Sequence, residues 1–144
     1  MQVSREPMKP QDFAQSFFNA ACKRQNAKGE LMVGPNGIVF SAVDKDKRRM
    51  KLYEEVLNKL IFGEYVIRKV RAVYNAVDDD FVKCSDRISD FFEFSQWLND
   101  MEWRFMSGKR NPHCHPLLKP IGDKPPMFIF SSGNVQNSFI IEEK

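Results

Sequence analysis

Residues 85–106 read SDRISDFFEFSQWLNDMEWRFM, a stretch that holds both tryptophans and four of the thirteen phenylalanines, Phe91, Phe92, Phe94 and Phe105. Phe91, Phe94, Leu98, Met101 and Phe105 recur at steps of three and four, which places them on one side of an α-helix. Ser85 suits an N-cap, Asp86 a first turn that favours negative charge, and Ser107-Gly108 a stop. The spacing therefore predicts one helix over 85–106. Phe92 and Trp103 are eleven apart and share a second face with Ser95, Gln96 and Asn99. A helix with aromatics on two faces is either sandwiched in the core or turns one face to a partner.

Working outward toward the N-terminus, Asp78-Asp79-Asp80 reads as a turn. Before it, Val66, Val70, Val73, Tyr74 and Val77 fit period 3.6 better than period 2. A helix is expected over 64–77, although the β-branched content also permits a strand. Leu52, Tyr53, Val56, Leu57, Leu60 and Ile61 form an apolar stripe on a preceding helix, with Asp44 as its cap. Leu31-Met32-Val33 and Ile38-Val39-Phe40-Ser41 flank Gly34-Pro35-Asn36-Gly37, the pattern of a hairpin. Pro10 suits the first position of a helix running to about Lys28, with Phe13, Phe17, Ala20 and Ala21 at helical spacing. Residues 1–9 read as a loose arm.

Toward the C-terminus, Pro112, Pro116, Pro120, Pro125 and Pro126 put five prolines in fifteen residues, so a loop is expected. Met127-Phe128-Ile129-Phe130, a turn at Ser132-Gly133-Asn134, and the run from Val135 to Ile141 read as a second hairpin. The expected fold is α+β: a single domain over 1–144, with three or four helices packed on a small antiparallel sheet made of two hairpins.

A chain of 144 residues, 42% hydrophobic and 28% charged, has the composition of a soluble globular domain. It has no run of about 18 apolar residues, so no helical membrane span is expected. The first ten residues lack a signal-peptide core. Cys22, Cys84 and Cys114 are an odd set without framework spacing, which points to free thiols and a reducing, cytoplasmic setting. The net charge is only +3, but it is unevenly spread. Residues 1–51 and 104–144 are basic and residues 52–103 are acidic. This distribution suits either internal neutralisation or separate surfaces for an anion and a basic partner.

No catalytic motif stands out. His113-Cys114-His115 offers ligand types that zinc accepts, yet no second short-spaced pair accompanies it. Cys114 between two histidines has the composition of an activated thiolate. Asp44 with Asp46, and residues 78–80, offer carboxylates for a divalent cation in a metal-dependent hydrolase or nuclease, but capping and turn formation account for both. Residues 34–37 lack the Lys and Ser/Thr of a phosphate loop. Lys47, Arg48 and Lys51, extended by Arg68 and Arg71, form a basic series suited to nucleic acid. Phe92, Trp103, Pro112 and Pro116 form the expected protein-binding surface. The favoured reading is a small non-catalytic regulatory or inhibitory protein acting by protein–protein contact, without a cofactor. Nucleic-acid binding through the basic helix start is the alternative, and a metal-dependent hydrolase or nuclease with the His113-Cys114-His115 loop is the second alternative. Self-association is compatible with each of them.

Overall fold

The computed structural model describes residues 7–43, 47–108 and 124–144. Among them are three helices, a five-stranded antiparallel sheet and a two-stranded hairpin, an α+β arrangement. The chain forms two compact units. One contains residues up to Val66, the stretch Ser89–Met101 and the last two residues. The other contains Ile67–Ile88 and Glu102–Glu142.

The helical unit starts with α1, Pro10–Gln25, which has proline in its first turn as expected. It ends earlier than the sequence suggests, because Asn26 takes the left-handed conformation at φ 51° and Gly29 is already in a strand. Strands β1 (Lys28–Gly34) and β2 (Gly37–Val43) pair from Lys28↔Val43 to Gly34↔Gly37. The turn of Pro35 and Asn36 closes this hairpin, with Gly37 at φ +118°. Helix α2, Lys47–Phe62, buries Met50, Tyr53, Val56, Leu57 and Leu60. Asp44, the expected cap, lies outside the described residues. Helix α3 is Phe91–Asp100. Phe13 of α1 stacks on Phe91 at 4.3 Å, and Phe13, Phe17, Phe94, Tyr53 and Leu57 are almost fully buried. A polar seam joins α1 to α3: Ser16 bonds Ser95, and Asn99 Nδ2 donates to Ser16 Oγ at 2.9 Å.

The expected helix over 85–106 is a correction. Strand β4 runs Asp80–Ser89, so Ser85 and Asp86 are strand residues. The helix begins after Asp90, whose carboxylate accepts the Glu93 N–H at 2.8 Å. Ser89 Oγ, one residue before the cap, donates to Glu93 Oε1 at 2.6 Å and holds the Glu93 side chain back over the start of the helix. Trp103 lies beyond the helix, and Phe105 is on β5, Arg104–Gly108.

Residues 64–77 also differ from expectation. They form strand β3, Tyr65–Asn75. Val66, Ile67, Val70 and Val73 are β-branched, and pairing with distant strands overrides the local helical spacing. The strand order is β4-β3-β7-β6-β5, with β6 at Lys124–Ser132 and β7 at Val135–Glu143. The sheet thus contains more than two hairpins' worth of strands, and the Lys28–Val43 hairpin is separate from it. Its core is an aromatic row. Phe105 pairs with Phe128, and Phe128 pairs with Phe139. Trp103 sits 5.3 Å from Phe128 by ring centroids. On β7, Asn137, Phe139 and Ile141 are buried while their neighbours are half-exposed, the period-2 pattern of a strand with one inward face.

Candidate functional site

The β3–β4 ribbon is the part of the sheet richest in exposed apolar side chains. The two strands are joined by residues 76–79, and Asp79 takes a positive φ of 50°. The turn is built from its own side chains. Asn75 Oδ1 accepts the Val77 N–H at 2.9 Å, Asn75 Nδ2 donates to Asp78 at 3.2 Å, and the Tyr74 hydroxyl donates to Asp79. The Asp79 carboxylate holds the Tyr74 phenol above its ordinary pKa. Phe81 meets Tyr74 edge-on at 5.8 Å.

At its other end the ribbon is clamped by charge. Arg68 Nε donates to Asp86 Oδ1 at 2.6 Å, its second terminal nitrogen reaches Asp86 Oδ2, and its third nitrogen donates to Glu142 at 3.0 Å. Lys83 adds a contact to Asp86 at 3.1 Å. The Arg68 fork, then Lys83, hold the Asp86 carboxyl far below the usual carboxylate range.

Every residue of β4 from Asp80 to Ile88 is exposed, on both faces of the strand. Phe81 is 42% exposed, Val82 45% and Ile88 60%. Val73, Tyr74, Asn75, Ala76, Val82 and Cys84 line an open groove of about 390 Å³. As the last strand in the sheet order, β4 presents an outer row of backbone N–H and C=O groups with no described strand beside it.

The residues singled out from the sequence fall elsewhere. Phe92 is half-buried on α3. Trp103 is 4% exposed and packs against Phe128, so it is not a surface residue. Pro112, His113, Cys114, His115 and Pro116 lie outside the described residues. Arg48 and Lys51 are exposed on α2, and Arg71 is exposed on β3. Arg68 is engaged by two carboxylates. Arg48 and Lys51 belong to the helical unit, Arg68 and Arg71 to the sheet unit. Residues 78–80 make the ribbon turn. Among the described residues no three His, Cys, Asp or Glu side chains gather at a metal-sized position. None of these described helices is long and apolar enough to cross a membrane.

Reading 64–77 as a helix hid the ribbon. The signal that finds it is a pair of β-branched or aromatic runs, Tyr65-Val66-Ile67 and Phe81-Val82, on either side of the Asp78-Asp79-Asp80 turn.

No family model, curated protein or solved structure matches the chain.

Proposed function

We propose that this chain is a non-catalytic binding protein, regulatory or inhibitory in role, that works by contact with another polypeptide through the β3–β4 ribbon. The observation that supports the reading is the exposure of β4 from Asp80 to Ile88, with Phe81, Val82 and Ile88 among its side chains. An open strand edge is a template for an extended segment of another chain, whose main chain continues the ladder. Alternating side chains then set specificity: apolar residues meet Phe81, Val82 and Ile88, and charges meet Lys83 and Arg87. The groove beside Val73 and Val82 gives one of those side chains a recess.

The test compares the tagged chain with a Phe81→Lys/Ile88→Lys double variant in nuclease-treated lysate. Both positions are exposed, so the variant's melting curve should match the wild type. A polypeptide retained by the wild type and lost by the variant supports the reading. Retention that survives the double variant overturns it, as does retention of no polypeptide at all.

A further inference from the structure

We propose that the helical unit carries, independently of the ribbon, a surface for the phosphate backbone of nucleic acid at the end where α1 stops and α2 starts. Two contacts fix the direction of α2. Glu54 Oε2 accepts the Phe40 N–H at 2.9 Å, and one turn on, Asn58 holds both backbone groups of Ile38. Helix α2 therefore runs antiparallel to β2, and its first turns lie toward Val43. Val43 pairs with Lys28, the first residue of β1. Just before Lys28, α1 ends at Gln25, whose Nε2 donates to the Tyr53 hydroxyl at 3.0 Å. Four element ends thus meet at one place: the end of α1, the start of β1, the end of β2 and the start of α2.

That place is basic. Lys23, Lys28, Arg48 and Lys51 are all exposed there. The first turn of α2 contains no acidic residue. Residues 44–47 read Asp-Lys-Asp-Lys and are neutral in sum. The carboxylate of Glu54 is occupied by β2.

The apolar side chains of the unit decide which anion fits. Met32, Val33, Val39 and Phe62 are exposed, and they cluster at the opposite end of the hairpin and of α2. An anionic membrane is gripped by cations and inserted apolar side chains together, and a protein interface needs a buried apolar anchor. A phosphate backbone needs cations alone. The basic end supplies cations without the apolar partners, so nucleic acid fits it and the other two do not.

The test is fluorescence anisotropy of the full chain with a labelled 30-nucleotide single strand and with its duplex. Four exposed cations imply a slope of log affinity on log salt near −3, so affinity should fall about 50- to 150-fold between 50 and 200 mM salt. The Lys23→Glu/Lys28→Glu/Arg48→Glu/Lys51→Glu variant should lose binding while its circular dichroism and melting stay unchanged. An Arg71→Glu/Lys83→Glu variant of the ribbon should bind as the wild type does. The proposal is overturned by absence of binding at 50 mM salt. It is equally overturned by binding that survives the fourfold reversal, or by affinity for phosphatidylserine vesicles with none for nucleic acid.

Discussion

Asn58 on α2 satisfies both backbone groups of Ile38 on β2: its Oδ1 accepts the Ile38 N–H at 2.8 Å, and its Nδ2 donates to the Ile38 carbonyl at 2.9 Å. One side chain thus does the work of a neighbouring strand. Glu54 does half as much for Phe40. The free edge of β2 is closed at two successive outward positions by α2. The edge of β4 is exposed from Asp80 to Ile88. This contrast between a covered edge and an open one underlies the proposed function.

Replacing Asn58 with Ala should leave the Ile38 N–H and carbonyl without their partner. A half-buried amide pair of this kind costs about 1–3 kcal/mol to orphan. The expected outcome is a loss of that size in urea unfolding with the slope unchanged. Asn58→Asp keeps the acceptor but sets a carboxylate oxygen against the Ile38 and Glu54 carbonyls, and should lose at least as much as Asn58→Ala.

Gly37 meets the same side chain from the other direction. A Cβ added there would stand 2.5 Å from Asn58 Oδ1, at a φ of +118° that side-chain-bearing residues rarely adopt. Gly37→Ala should therefore destabilise by about 1–3 kcal/mol. Part of the loss should disappear in the Asn58→Ala background, because the clash is removed while the backbone strain remains. A double-mutant cycle by chemical denaturation measures that coupling.

Asp86 gives a pH dependence with a definite sign. Its folded pKa lies well below the ordinary 3.8, so the unfolded chain takes up the proton first. The stabilisation is fully present above about pH 4 and fades as pH falls from there toward the folded value. Urea midpoints measured between pH 5 and pH 2 should drop less steeply for Asp86→Asn than for the wild type. High salt should narrow the difference, since Arg68, Lys83 and Glu142 are all partly solvated.

Asp90→Ala should remove the cap of α3 at a cost of about 1 kcal/mol. Glu93 would lose its amide partner and Ser89 would keep its contact to the Glu93 carboxylate. Amide exchange should then quicken in the first turn of α3, while the Phe13–Phe91 stack limits the damage to that turn.

Which elements were legible follows from where their causes lie. Pro10, the Gly34-Pro35-Asn36-Gly37 turn and the Ser132-Gly133-Asn134 turn act within a few residues, and the elements they bound were readable from composition and spacing. The stripe from Leu52 to Leu60 was readable for the same reason. β3 was less so, because besides β4 it pairs with β7, whose residues lie sixty or more positions later. Val66, Val70 and Val73 fit a helix by spacing and a strand by shape, and only the partner decides. The same ambiguity moved the start of the aromatic helix from Ser85 to Phe91. Trp103 then left the helix altogether and became part of the sheet core beside Phe128. The candidate surface followed these errors: a residue expected to face a partner is buried, and Phe81, Val82 and Ile88 are exposed. The basic start of α2 was legible, but its meeting with the end of α1 required the Gln25–Tyr53 and Lys28–Val43 contacts.

The most direct measurement is amide hydrogen exchange across the chain, alone and with the polypeptide it retains from lysate. An added strand must bond the outward-facing amides of β4. Exchange within residues 80–88 should slow sharply in the complex, and the Phe81→Lys/Ile88→Lys variant should show no slowing. Unchanged exchange in 80–88, with new protection centred on α3 around Phe92 instead, would contradict the account.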